Sequence, residues 1–269
     1  RTARGVDVRC WCHEAVRVAP PLRYPARATV VAMPAPDPAV QVADQVADQV
    51  TGPVADLVLP CRDEGPALAA LLPRVPAQFR VIVVDNGSTD DTAAVAERLG
   101  AHVVRESTPG YGAAVHAGLL AATHDHVAFM DGDGSFDPDQ LLPMLDDVRS
   151  GRADAALGRR RPVDRRVWPW HARLGNNLIV WWLRRRLGMA AHDIAPMRVL
   201  DRRALLELDV RDRRFGYPVE LLQKLTVAGW RVSERDVDYH PRAEGTRSKV
   251  SGSVRGTIRA ARDFWRVLS

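Results

Sequence analysis

No run of apolar residues in this 269-residue chain approaches the roughly 20 needed to cross a bilayer as a helix. Leu178–Leu183 is an apolar run of only six residues. The protein is therefore expected to be soluble, or to lie on a membrane surface. Cysteine is scarce. Cys10, Cys12 and Cys61 are too few for a disulfide framework, and the reducing cytosol is the expected compartment. Cys10-Trp11-Cys12-His13 suggests metal ligation, but no second ligand pair stands at a matching distance, which argues against structural zinc. No apolar segment follows the basic residues near the N-terminus, so a secretory signal is not expected. Acidic residues are nearly missing from one stretch. Between Arg159 and Arg186 stand nine arginines and one acid, Asp164, while the whole chain carries only +5. Such a patch suits phosphate groups or an anionic membrane face, and suits a solvated arginine-rich surface equally well.

Residues 1–52 lack sustained helical or strand periodicity. They hold Pro20-Pro21, Pro34, Pro36 and Pro38, and the repeat Val-Ala-Asp-Gln at 42–45 and 46–49, and read as a mostly disordered extension whose first methionine is Met33. From Val54 strands alternate with helices. Val54–Pro60, Arg80–Val84, Ala101–Arg105, Val127–Met130 and Ala153–Leu157 read as strands. Helices are expected around Ala67–Leu72, over Asp90–Leu99 with a cap from Asn86–Thr89 and a stop at Gly100, over Ala113–Ala122, and after Asp137-Pro138. This alternation predicts an α/β fold with a mostly parallel central sheet and helices on both faces. In such sheets ligands bind at the carboxyl ends of strands, where Asp63, Asp85 and Asp131 all fall.

Asp131-Gly132-Asp133-Gly134-Ser135 is the first chemical signal. Two carboxylates one residue apart repel each other unless a cation or a proton sits between them. Mg²⁺ or Mn²⁺ takes such hard oxygen ligands together with substrate phosphates. An acidic turn is the alternative for this pattern. Val83-Val84-Asp85-Asn86-Gly87-Ser88-Thr89-Asp90 places a polar ledge after a strand, suited to hydrogen bonds with base or ribose. Leu57-Val58-Leu59-Pro60-Cys61-Arg62-Asp63-Glu64 is a second strand end followed by carboxylates. His240 stands ready to complete a metal shell, or is structural. Leu178–Leu183, between Arg173 and Arg184-Arg185-Arg186, reads either as an interfacial amphipathic segment or as a buried helix whose arginines reach out to solvent.

Taken in order, Leu59-Pro60-Cys61-Arg62-Asp63-Glu64, Val84-Asp85-Asn86-Gly87-Ser88-Thr89-Asp90 and Asp131-Gly132-Asp133 resemble family 2 glycosyltransferases of the Rossmann-like GT-A fold. Gly110-Tyr111-Gly112-Ala113-Ala114, with Gly118, resembles that family's Gly-rich segment. Asp193 to Arg198, Glu220, and Arg242-Ala-Glu-Gly245-Thr-Arg-Ser248-Lys249 resemble elements of the polyprenyl-phosphate sugar transferase branch, of the dolichol-phosphate mannose synthase type. The chain departs from that pattern at Asp63, where Asn is usual, and at Ala195-Pro196-Met197.

The resemblance implies a metal-dependent inverting transfer of sugar from a nucleoside diphosphate sugar, with UDP-glucose the first guess and GDP-mannose the second. Polyprenyl phosphate at the inner face of the membrane is the implied acceptor, and nucleic acid is not an expected partner. Pro60, Asp63, Glu64, Asp85, Gly87, Ser88, Gly110 and Asp131 would bind nucleotide. Asp131, Asp133 and His240 would hold Mg²⁺ or Mn²⁺. Asp193, Glu220, Arg242 and Lys249 would be catalytic, with Asp193 or Glu220 taking the proton if the acceptor is a hydroxyl. A soluble acceptor, a nucleotidyltransferase and a non-catalytic nucleotide-sugar binder are the alternatives. No Gly-rich loop with an adjacent Arg or Lys, suited to a triphosphate, follows the first strand. Residues 53–250 would form the catalytic domain and 251–269 an amphipathic C-terminal helix.

Deleting residues 1–52 is predicted to leave activity and melting temperature nearly unchanged. A large loss of either would show that the segment packs on the domain.

Overall fold

The computed structural model describes residues 52–164, 166–243 and 262–264. The expected extension over 1–52 lies outside them except for Gly52. So do Lys249 and all of the expected C-terminal helix except 262–264, which are helical.

A seven-stranded sheet organises the domain, in the order β3-β2-β1-β4-β6-β5-β7. The strands are β1 (Ala55–Cys61), β2 (Phe79–Asp85), β3 (His102–Arg105), β4 (His126–Phe129), β5 (Ala155–Pro162), β6 (Arg198–Asp201) and β7 (Val232–Tyr239). The helices are α1 (Gly65–Leu71), α2 (Thr92–Arg98), α3 (Tyr111–Ala121), α4 (Leu141–Arg149), α5 (Trp170–Leu187), α6 (Arg202–Glu207) and α7 (Tyr217–Val227). β1 to β4 run parallel, as the alternation predicts. β6 runs antiparallel to both β4 and β5, so the sheet is mixed.

Alternate residues along the strands feed two cores. Val58, Val84 and Phe129 pack with α3, α5 and α7 on one face. Leu57, Leu59, Val83 and Ala128 pack with α1, α2 and α4 on the other. Helix α3 approaches the sheet at Gly118, where a Cβ would stand 2.3 Å from a Val58 methyl. Only glycine fits there.

Several boundaries differ from the sequence reading. Helix α2 begins at Thr92, and the Asp90 carboxylate accepts the Thr92 N–H at 3.0 Å in place of a cap from Asn86–Thr89. The helix stops at Gly100 as expected, in a left-handed turn with φ 82°. β5 continues through Arg159, Arg160 and Arg161, so three of the nine arginines of the basic stretch lie on a strand. β6 and β7 carry little apolar signal. β6 is four residues long, and β7 buries only Val237 and Tyr239. β7 is an edge strand with Glu234, Asp236 and Asp238 along it, charges that discourage pairing with another chain. Asp147 of α4 ties β7 to the body, accepting from Arg235 at 2.6 and 2.8 Å and from Ser233 Oγ at 3.0 Å.

At the opposite end of the sheet from the strand termini that carry the site, Asp56 is fully buried. It accepts from Arg80 Nε at 2.6 Å, Thr123 N–H at 2.6 Å and His124 N–H at 2.8 Å, joining β1, β2 and the turn before β4. Burial alone would raise its pKa, but these hydrogen bonds outweigh it and hold the carboxyl below its ordinary value. A depressed folded-state pKa contributes stability above the unfolded value and loses it as pH falls through the folded value. Asp56→Asn is therefore predicted to cost about 2–3 kcal/mol near neutral pH. The gap to wild type should narrow below about pH 4. Urea unfolding at several pH values checks this, and a gap that does not change with pH would contradict it.

Candidate active site

The carboxyl ends of β1, β2 and β4 are hydrogen-bonded or paired neighbours, so the loops that follow them meet in one crevice. After β1, Asp63 adopts a left-handed conformation, φ 51°. Its Oδ1 accepts from the Thr89 N–H at 2.7 Å and the Thr89 hydroxyl at 3.1 Å. Its own N–H donates to Ser88 Oγ at 2.9 Å, and the Glu64 N–H donates to Thr92 Oγ1 at 2.8 Å. Asp85 Oδ1 accepts the Ser88 N–H at 2.9 Å across the turn at Gly87. The two expected nucleotide loops are thus bound to each other.

Asn86 is the joint that the sequence reading did not single out. Its amide donates to the carbonyls of Glu106 and Thr108 at 3.0 and 2.8 Å, and its oxygen accepts the Gly110 N–H at 2.9 Å. It fastens the end of β2 to the start of α3. On its other side, α3 meets the 211–214 loop so closely that a Cβ on Gly112 would stand 2.4 Å from Asp212 O.

Asp131 and Asp133 follow β4. Asp133 is buried, while Asp131 keeps part of its surface open with protein packed around the rest. Burial, and then the negative charge of Asp133, push the Asp131 carboxyl up to about 6, against the pull of Arg242, Arg160 and Arg198. Asp133 Oδ2 lies 2.6 Å from Arg242 Nε, and its Oδ1 accepts the Ser135 N–H at 3.0 Å. The donor set fits Mg²⁺ or Mn²⁺. Both ligands are hard carboxylate oxygens, and two of them leave coordination positions for phosphate oxygens and water.

His240 does not join this pair. It is exposed after β7, with its N–H on Ser135 O at 2.9 Å. Among the described residues no three His, Cys, Asp or Glu side chains gather as a metal site. The neighbouring Arg242 turns to Asp133 instead.

The two candidate bases are both engaged by protein donors. Asp193 is buried, and Arg160 engages both its oxygens, Nε to Oδ2 at 2.9 Å and Nη2 to Oδ1 at 2.6 Å. It positions Arg160, which lies 4.1 Å over the Trp168 ring. Glu220 accepts the Arg211 N–H at 2.9 Å and the Asp212 N–H at 2.6 Å, holding the loop that abuts α3. Both carboxylates are thus engaged by protein donors. Arg198 is a buried cation that Asp131 feels. Its Nη2 donates to Ile194 O at 3.1 Å, and its Nε and Nη1 have no partner among the described residues.

Pro60 is half-buried between buried Leu59 and Cys61 of β1, and Gly110 immediately precedes α3. Lys249 lies outside the described residues. A surface concavity of about 480 Å³ lies along β5, β7 and α4, lined by Gln140, Pro143, Arg159, Glu234, Arg235 and Asp236, and contains none of the expected site residues.

A family model described as Glycosyl transferase family 2 matches residues 56–205. An uncharacterized glycosyltransferase of Mycobacterium tuberculosis is 55% identical over 218 residues, covering 81% of this chain and 99% of the relative. The polyprenol monophosphomannose synthase of Mycolicibacterium smegmatis is 32% identical over 216 residues, covering 73% of this chain and 81% of the relative. The chain belongs to glycosyl transferase family 2 and is a glycosyltransferase. Its fold is GT-A. The structure of glucosyl-3-phosphoglycerate synthase from Mycobacterium tuberculosis, in complex with Mn²⁺, UDP and glucosyl-3-phosphoglycerate, superposes with a TM-score of 0.63 at 22% identity, covering 89% of this chain and 85% of that one.

Removing the Glu220 carboxylate takes the acceptor from two loop amides. Glu220→Ala is predicted to speed hydrogen exchange at Arg211 and Asp212 by about tenfold or more. Unchanged exchange there would show that Glu220 does not hold the loop.

Proposed function

We propose that the protein transfers a hexose from a nucleoside diphosphate sugar to a polyprenyl phosphate at an anionic membrane surface, with Mg²⁺ or Mn²⁺ at Asp131 and Asp133. The paired carboxylates at the end of β4, beside the interlocked loops after β1 and β2, carry this reading. When bound, the cation offsets the charge of the departing nucleoside diphosphate. Asp63, Glu64, Asp85 and Ser88 form the ledge that would receive the nucleoside, with Pro60, Gly87 and Gly110 shaping its backbone. Arg160, Arg198 and Arg242 supply positive charge around Asp131.

The engagement of Asp193 and Glu220 bears on the acceptor. A hydroxyl acceptor needs a base to take its proton, and both candidates are tied up. A phosphate monoester has a second pKa of about 6 and attacks without one. Attack from the face opposite the diphosphate inverts the anomeric carbon. The name of the Mycolicibacterium smegmatis relative fits a lipid phosphate and mannose, and hence GDP-mannose. The solved structures with UDP-glucose favour that donor.

Helix α5 supports the membrane. It buries Asn176, Val180 and Leu183. Trp170, Leu174, Leu178 and Trp181, at near-helical spacing, remain 76, 50, 57 and 62% exposed. Arg173 and Arg184–Arg186 border this stripe, a pairing suited to an anionic interface on the inner face of the membrane. Trp168 and Trp182 instead pack against the cores, so the tryptophans are divided between the two roles. Among the described residues no helix is long and apolar enough to cross a membrane.

Incubation with radiolabelled UDP-glucose or GDP-mannose, Mn²⁺ and polyprenyl phosphate in anionic vesicles should give a labelled lipid and free nucleoside diphosphate. Asp133→Ala should abolish the product while keeping the wild-type circular dichroism. Transfer only to a soluble phosphorylated acceptor, with the protein remaining in the supernatant of sedimented anionic vesicles, would overturn the lipid acceptor. Release of pyrophosphate would overturn glycosyl transfer.

A further inference from the structure

The carboxylate assigned above to the cation is already occupied by a side chain. Arg242 Nε sits 2.6 Å from Asp133 Oδ2. Two main-chain bonds flank this contact, Ala243 N–H to Asp133 O at 3.0 Å and His240 N–H to Ser135 O at 2.9 Å. The ring of Tyr239, at the end of β7, lies 5.3 Å from that of Phe136. Residues 239–243 are thus laid along 133–136, with the ion pair in the middle. The Asp133 side chain is 6% exposed and that of Arg242 28%, so the guanidinium is the more open end of the pair. A divalent cation at Asp133 would place two like charges at one carboxylate, and Arg242 would have to move or find another anion.

We propose that Arg242 is an exchangeable counter-ion. It neutralises Asp133 while no cation is bound, and yields the carboxylate when a divalent cation arrives together with a nucleoside diphosphate. The diphosphate oxygens then become the partner of the guanidinium, which suits bidentate contact with phosphate. This rests on the reading of Asp131 and Asp133 as cation ligands.

The exchange makes cation and nucleotide help each other. A cation alone must break the Arg242–Asp133 pair and leaves the guanidinium without an anion. A cation with a diphosphate breaks the same pair and gives Arg242 a new one. By linkage, UDP must then tighten Mn²⁺ binding by the same factor as Mn²⁺ tightens UDP.

Mn²⁺ binding without sugar donor tests this, read by the electron paramagnetic resonance of free Mn²⁺ with and without UDP. In wild type, UDP should tighten Mn²⁺ by about tenfold or more. Arg242→Gln should bind Mn²⁺ alone about tenfold more tightly than wild type and lose most of the coupling. Arg242→Lys, which keeps the charge, should stay near wild type for Mn²⁺ alone. Mn²⁺ binding to Arg242→Gln no tighter than to wild type would overturn the exchange, as would absence of coupling in wild type itself, which needs no variant to fold. Asp133→Ala separates the two claims. If it binds Mn²⁺ as wild type does, the cation site itself is misplaced, whereas loss of Mn²⁺ there with no gain in Arg242→Gln removes only the counter-ion role.

Discussion

Two carboxylates one residue apart at the end of a buried strand repel each other, and the surroundings of Asp131 and Asp133 are built to answer that repulsion. Burial and mutual charge raise the Asp131 carboxyl, while Arg160, Arg198 and Arg242 pull the other way. These arginines come from β5, β6 and the segment after β7, so the charge balance depends on the mixed half of the sheet as much as on the parallel half. Arg160 is itself held by Asp193 and by stacking on Trp168. Arg242 balances Asp133 directly. Among these contacts the two aspartates are balanced by arginines, and the proposed cation would take over part of that balance.

A second set of contacts fixes the walls of the crevice. Asn86 joins the end of β2 to the start of α3, and Glu220 holds the loop that presses on α3 from the other side. Asp63 and Ser88 lock the loops after β1 and β2 together. Asp193 and Glu220 are committed to such contacts with protein donors, while arginines surround the paired carboxylates. The proposal of a phosphate acceptor, which needs no base, rests on this engagement.

The parallel half of the fold was legible because β1, β2 and β4 are largely buried runs of β-branched and other apolar residues bounded by turn signals, and β3 keeps a Val-Val pair between its polar ends. The ordered motifs around Asp63, Asp85 and Asp131 were enough to anticipate the family. β6 and β7 were not legible, since one is four residues long and the other is a charged edge strand. The surroundings of Asp193 and His240 were hidden for a related reason. Sequence shows that a carboxylate or an imidazole is available, but not that Arg160 engages the first or that the second is exposed while Arg242 pairs with Asp133. The arginine-rich stretch was ambiguous because it spans a strand and a helix, with its tryptophans split between core and surface. Asn86 carried no signal of its own beyond its place after Asp85.

The central claim is that Asp131 and Asp133 hold a divalent cation beside the nucleoside diphosphate. Crystals grown with Mn²⁺ and UDP, measured near the manganese absorption edge, test it most directly. The account predicts an anomalous peak within coordination distance of the Asp131 or Asp133 carboxylate and of the UDP phosphates, with Arg242 turned from Asp133 towards the diphosphate. UDP bound in the crevice with no peak at these aspartates, and Arg242 still on Asp133, would contradict it.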